Sequence, residues 1–379
     1  MFFYIGEECP IDGLIKVEPN LYLDKGWNHK SGIWYKGYST ECVLEDSIYD
    51  IVNGYKPAGK YCVICVGEIY HPVLRGFPIY SKDKERTNIK LAGFSPVEYD
   101  PLPYQESEDV TSLDQASIEI GDVLLENTLN FYKYNDVRDM TVIYSCGLDT
   151  STSWAIQEAV SPKFNLSIHV PDYTRDTTIQ AFLGTEREYS SELIDKVGSD
   201  YWGYLHACYY KDLNWSNTGY YAETYTYRDA EAINALANHY GKKIYEFAKE
   251  EDYLYWFLKR STTVEKYRDS TLEFSNQSDL KRFLWSTIWY DHQMWHLDNN
   301  MMFCPFADIR IPSIMNKVSI EDLALACTTG MIQRKIIERF KPELLSLLSD
   351  YKNEKDVWAN FRANFNESMV HPSTKVIFR

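Results

Sequence analysis

Residues 141–156 read TVIYSCGLDTSTSWAI. The apolar run from Met140 to Tyr144 predicts a strand. Ser145, Cys146 and Gly147 are small, and the pattern from Asp149 to Val160 predicts a helix closed by Pro162. A strand that passes through a small-residue loop into a helix is a building unit of α/β sheets. At such a junction the first helical N–H groups have no intrahelical partner and favour an anion such as phosphate. Ser145, Thr150 and Ser151 add hydroxyls at the same spot, and Gly147 permits close backbone approach. Asp149 would repel a phosphate unless a cation lay between them, which makes it a candidate Mg²⁺ ligand. The loop is not a Walker A loop, because no Gly-Lys-Ser/Thr follows four spacer residues. A plain capped helix uses the same donors, so the local pattern alone leaves both readings open.

Outward from this loop, SLDQASIEIGDVLLENTLNFYKY (112–134) has helical spacing, with Ile118, Val123, Leu124, Leu129 and Phe131 as its apolar positions. Ser112 or Asp114 would cap it. Residues 164–170 predict a strand and 228–240 a helix stopped by Gly241. Residues 242–247 then predict a strand, and EEDYLYWFLKR the next helix. Strands alternating with helices predict a mostly parallel sheet. From about residue 280 the pattern is all-helical. Residues 1 to about 100 are different. FFYI, YCVICV and VLRGFPIY are short strand-like runs punctuated by Gly and Pro, so this part is β-rich. SPVEYDPLPYQESEDV (95–110) has three prolines and five acids and is the expected linker. The chain of 379 residues therefore divides into a β-rich domain, 1–104, and an α/β domain, 105–379.

The formal charge of −16 argues against broad nucleic-acid binding. No window approaches the apolar length that spans a bilayer, and no secretory signal is visible, so a cytoplasmic location is expected. Eight scattered cysteines suit free thiols. Cys62 and Cys65 lie in a strand-like run without a second ligand pair, which favours a structural role. His292 and His296 share a helix face, but Gln293 stands where the zinc-helix motif needs Glu, so they are expected to serve packing or a pocket. The 31 Tyr, 17 Phe and 10 Trp predict a large packed core. The aromatic run YWGYLHACYYKDLNWSNTGYYAETYTY could stack a planar substrate, pack as β-structure or form a homodimer face.

SCGLDTS resembles the Ser-Gly-Gly-x-Asp-Ser loop of the asparagine-synthetase-like and β-lactam-synthetase-like ATP-dependent ligases, with Cys146 where the family usually has Gly. RDAEAINALANHYGKKIYEF, LDNNMMFCPFADIRIP and GMIQRKIIERF are similar to later segments of that family. The resemblance implies an ATP-pyrophosphatase domain of the adenine nucleotide α-hydrolase type with a helical C-terminal part. It implies that residues 145–151 (Ser145, Cys146, Gly147, Leu148, Asp149, Thr150 and Ser151) bind ATP and that Asp149 binds Mg²⁺. Pro305, Phe306 and Asp308 hold the family's Pro-Phe-Leu-Asp segment, Asp298 matches an earlier acid, and Arg334 or Lys335 supplies the active-site cation. The first domain is similar to the Ntn-hydrolase-like glutaminase half, on VNGYKPAGKYCVIC and VLRGFPIY. Phe2 stands where that half has its nucleophilic Cys, and Cys9 is not at the equivalent position, so no glutaminase activity is expected.

The family's second acidic loop has one echo, VGSDYWGY, which makes Asp200 a candidate second metal ligand and marks about 171–227 as an insertion. The expected activity is AMP-forming amide ligation of a small-molecule carboxylate with ammonia or a substrate amine, using ATP and Mg²⁺. Two alternatives stand beside it. One is an enzyme adenylating a nucleobase or carbonyl in modified-nucleoside synthesis, and the other is a nucleotide-binding homologue without catalysis.

Overall fold

A computed structural model describes residues 1–74, 77, 79–88, 91–97, 104, 106–107, 110–138, 140–144, 147–160, 165–168, 215–217, 219, 222–227, 278–282, 284–285, 302–320, 322–323, 326 and 330–347. It is mixed α/β, with two antiparallel sheets followed by a parallel one.

Among the described residues the first part has ten strands and one helix. They are β1 (Phe3–Ile5), β2 (Ile15–Glu18), β3 (Leu21–Leu23), β4 (Asn28–Lys30), β5 (Ile33–Ser39), α1 (Leu44–Val52), β6 (Gly59–Cys65), β7 (Glu68–Tyr70), β8 (Tyr80–Lys82), β9 (Glu85–Thr87) and β10 (Ser95–Pro96). One sheet has the order β10-β8-β9-β1-β3-β2 and the other β4-β5-β6-β7. The two-residue period of β6 explains how they stack. Cys62 and Ile64 enter a core with Phe3, Ile5, Leu21, Leu23 and Phe77, mostly from the first sheet. Tyr61 and Val63 face the other way and pack with Leu44, Ile48 and Ile51 of α1. Cys65 joins that second face, so Cys62 and Cys65 lie on opposite sides of their sheet.

Asp24 ties the turn after β3 together. Its Oδ1 accepts from the Phe2 amide at 2.8 Å and from Trp27 Nε1 at 2.7 Å, while Lys36 Nζ donates to Oδ2 at 2.8 Å. Burial opposes the charge on Asp24. The Met1 ammonium, Lys36 and the Phe2 amide outweigh burial and hold the carboxyl below its ordinary 3.8. A depressed carboxyl stabilises the fold above the unfolded pKa, and that stability is lost as pH falls through the folded value. Asp24→Asn should therefore cost about 1–3 kcal/mol at pH 7, with the gap to wild type closing below about pH 4. Urea unfolding at pH 7 and pH 3 measures both.

The second part centres on α2 (Leu113–Tyr134), β11 (Thr141–Tyr144), α3 (Leu148–Val160), β12 (Asn165–Ile168), β13 (Ser216–Asn217) and α4 (Ala222–Tyr225). After them come β14 (Met302–Phe303), α5 (Arg310–Met315), α6 (Met331–Phe340) and a 3₁₀ turn, Pro342–Leu347. The Ser112 hydroxyl caps α2 by accepting from the Gln115 amide at 3.2 Å. The sheet order is β12-β11-β13-β14, and its pairs are parallel. α6 packs against both α2 and α3. It lies close to α2 at Gly121, where a Cβ would stand 3.3 Å from the Arg339 guanidinium. No helix among the described residues is long and apolar enough to cross a membrane.

Four sequence expectations change. The stretch from residue 280 is not all-helical, because Met302–Phe303 adds a parallel strand. Two residues carry no readable period, so such a strand is set by tertiary pairing. The end of the expected insertion, 171–227, contains β13, which lies between β11 and β14 in the sheet and is part of the framework. Ser95–Pro96, placed in the linker, pairs with β8. The buried stripe of α2 runs through Leu113, Ala116, Ile120, Leu124 and Phe131, while Ile118 and Leu129 are exposed. Small and polar residues (Ala116, Ser117, Asn127, Thr128) fill part of that buried face, which hides it from a hydrophobic count. The helix α1 was also not separated from the β-rich pattern. The helices expected at 228–240 and in EEDYLYWFLKR, and the strand at 242–247, lie outside the described residues.

Candidate functional site

The strand order locates the site. The chain runs from β11 to β12 on one side, then returns across β11 to β13 on the other. Where an open parallel sheet reverses its order, the loops at the carboxyl ends of the two central strands diverge and leave a crevice. Gly147 and Asp149 follow β11, and Gly219 follows β13.

The first turn of α3 is closed by Gly147, whose carbonyl accepts from the Ser151 amide at 2.9 Å and the Thr150 hydroxyl at 3.3 Å. The amides of Leu148, Asp149 and Thr150 open the helix. Ser151 differs from its expected part. Its amide is engaged by Gly147 and its hydroxyl is fully buried, with no hydrogen-bond partner among the described residues. Any phosphate here would meet mainly backbone donors. Ser145 and Cys146 lie outside the described residues.

Asp149 is half-buried and held from the far side by α6. Gln333 Nε2 donates to Asp149 Oδ1 at 3.2 Å and to Thr226 Oγ1, just after α4, at 2.9 Å. Gln333 is fully buried, and its Oε1 has no partner among the described residues. A second polar chain lies deeper. Asn217 of β13 donates to Gln157 Oε1 at 3.0 Å, and Gln157 donates to the Tyr132 hydroxyl at 2.6 Å.

Gly219 closes against this turn, since a Cβ there would lie 2.5 Å from the Asp149 carbonyl carbon. Gly219→Ala must therefore displace either the β13 loop or the start of α3. It should lower stability by about 1–3 kcal/mol, the usual cost of overpacking. A urea midpoint equal to wild type would show that the two loops do not touch.

The two cations expected of α6, Arg334 and Lys335, stand at different angles round the helix. Lys335 lies about 200° round the helix from Gln333, and its ammonium pairs with Asp114 at the start of α2 at 2.5 Å. Arg334 lies about 100° from Gln333 and its Nε is buried. The residue of α6 that reaches Asp149 is Gln333, which sequence reasoning passed over. Its signal was a polar residue on the same face as Ile332, Ile336 and Ile337, all buried. In the loop after β14, Pro305 accepts through its carbonyl from Asn127 at 3.0 Å. Asp308 is bound by Arg310 Nε and a terminal nitrogen at 2.8–3.1 Å, and Arg310 also donates to Glu126 at 2.6 Å. This segment fastens its loop to α2. Asp200, Asp298, His292 and His296 lie outside the described residues.

An anionic ligand with a divalent cation fits these donors. The α3 amides suit an anion, and Gly219 keeps the crevice wall free of a side chain. Asp149 provides one carboxylate, which suits Mg²⁺ because that ion keeps waters and phosphate oxygens as its other ligands. Among the described residues no three His, Cys, Asp or Glu side chains gather. No family model and no curated protein matches the chain.

Proposed function

We propose that the chain is an ATP-dependent, AMP-forming ligase that joins a small-molecule carboxylate to ammonia or a substrate amine. The observation that carries this reading is the place of Asp149. It stands in the first turn of a helix, directly after the central strand of a parallel sheet, beside the reversal of strand order. The fold assignment proposed with it is an ATP-pyrophosphatase-type second half behind an Ntn-hydrolase-like first half. The two stacked antiparallel sheets and the parallel sheet support that assignment at the level of layers.

ATP and Mg²⁺, when bound, supply the pyrophosphate leaving group and the neutralisation of its charge. The amides at the start of α3, with the Ser145 hydroxyl, would hold the phosphates, while the Thr150 hydroxyl donates to the Gly147 carbonyl. Asp149 would hold the cation. Gly219 and the β13 loop would wall the crevice and exclude water from it. Lys335, paired with Asp114, is not assigned to the developing charge, and Arg334 remains the proposed cationic residue of α6. Phe2 offers no nucleophile and its amide is held by Asp24, so glutamine is not the proposed source of ammonia.

Product analysis tests the reading. The protein is incubated with Mg·ATP and pools of carboxylates and amines, and the nucleotides are resolved by chromatography. AMP with pyrophosphate is expected. ADP with phosphate would sink the ligase reading. Mg·ATP binding without AMP in any pool would favour a binding protein that keeps the fold.

A further inference from the structure

We propose that Gln333 is the positioning residue of the Asp149 site, and that Thr226 sets its direction. The inference rests on the reading of Asp149 as the cation ligand. The hydrogen bonds have only one consistent polarity. The Thr226 hydroxyl donates its single proton to the Ala222 carbonyl at 2.5 Å, so towards Gln333 it can only accept. An ionised Asp149 also only accepts. The side chain of Gln333 must therefore turn its NH₂ to both, and the flipped amide would oppose oxygen to oxygen. Asp149 is fixed through Oδ1 by a donor that carries no net charge and does not compete with a cation.

The anchor of this relay is itself held in place. Tyr227, next to Thr226, has φ +53°, a left-handed conformation that a bulky residue rarely adopts. It is fully buried, and its hydroxyl donates to Asn316 Oδ1 at 2.7 Å. The surroundings thus maintain a strained backbone at the residue after Thr226, as happens where geometry serves a site. Both Gln333 and Thr226 are buried away from water, so solvent does not replace the relay if it is cut.

The test compares Gln333→Met, Thr226→Val, Thr226→Ser and Asp149→Asn with wild type. Calorimetry measures affinity for Mg·ATP and, separately, for ATP in EDTA. Gln333→Met should weaken Mg·ATP roughly 10–100-fold, the usual effect of losing the group that orients a metal ligand. Thr226→Val should act in the same direction, Thr226→Ser should behave as wild type, and binding in EDTA should be unchanged in all three. Wild-type Mg·ATP affinity in both Gln333→Met and Thr226→Val overturns the relay, as does an equal loss with and without Mg²⁺. If Gln333→Met does not fold, the Thr226→Val and Thr226→Ser pair decides alone. Full Mg·ATP affinity in Asp149→Asn, or none in wild type, overturns the cation-ligand reading and the relay with it. Loss in Asp149→Asn but not in the relay variants overturns the relay only.

Discussion

Asp149→Ala is expected to reduce AMP and pyrophosphate formation by roughly 100–1,000-fold, the size seen when one stabiliser of a developing anion is removed. The fold should survive. Asp149 is only half-buried, and after truncation Gln333 Nε2 still donates to Thr226. The stability cost should stay near about 1 kcal/mol, the net worth of one hydrogen bond. Asp149→Asn separates charge from shape, because its side-chain oxygen can still accept from Gln333. If activity needs only that hydrogen bond, Asn will restore it. If it needs a charge for the cation, Asn will be as inactive as Ala. The second result is expected, and wild-type turnover in Asp149→Ala would remove this carboxylate from the chemistry.

Gly37→Val should unfold most of the first half. In β5, Gly37 has φ +120°, and a Cβ there would stand 2.1 Å from the Lys60 carbonyl oxygen and 2.5 Å from the Tyr61 Cα. The partner strand has the same requirement at Gly59, at φ +144°, where a Cβ would meet the Tyr38 carbonyl oxygen at 2.3 Å. These contacts are backbone, so no side chain can turn aside to make room. The expected loss is about 3–5 kcal/mol, combining a forced backbone conformation with overpacking. Near-UV circular dichroism from Trp27 and Trp34, which pack against the first core, would report it during urea unfolding. A midpoint within experimental error of wild type would mean that β5 and β6 do not approach as described.

The decisive stretch was legible because it combined two periods. Met140–Tyr144 and the helix after it came out as β11 and α3 within a residue or so, and 164–170 contains β12. The parallel pairing of these strands follows from their spacing. What escaped was built from pieces too short for a period. β13 and β14 are two residues each, so their place in the sheet comes from pairing that no local pattern encodes. Of the candidate site, Asp149 was legible as a charge beside small residues. It was not legible at Gln333, 184 residues away in sequence, since only packing of α6 on α3 brings that amide to the carboxylate. Lys335, two residues on, is turned by helical geometry to the opposite side.

Tyr38 has a consequence of another kind. It follows Gly37 in β5, and its hydroxyl accepts from the Cys304 amide at 3.2 Å, just past β14. Its ring meets Phe131 and Phe303, which stack at 4.2 Å, and Trp215. Burial pushes the hydroxyl well above its ordinary range, so it stays protonated. Among the described strands β14 is one of the two outer ones of its sheet, with β12, and an outer strand is a template for unwanted pairing with other chains. The β-rich half covers the end of that strand with an aromatic ring and occupies its next amide. It would therefore keep that end of β14 from extending its pairing to foreign strands, a task that depends on shape and not on chemistry.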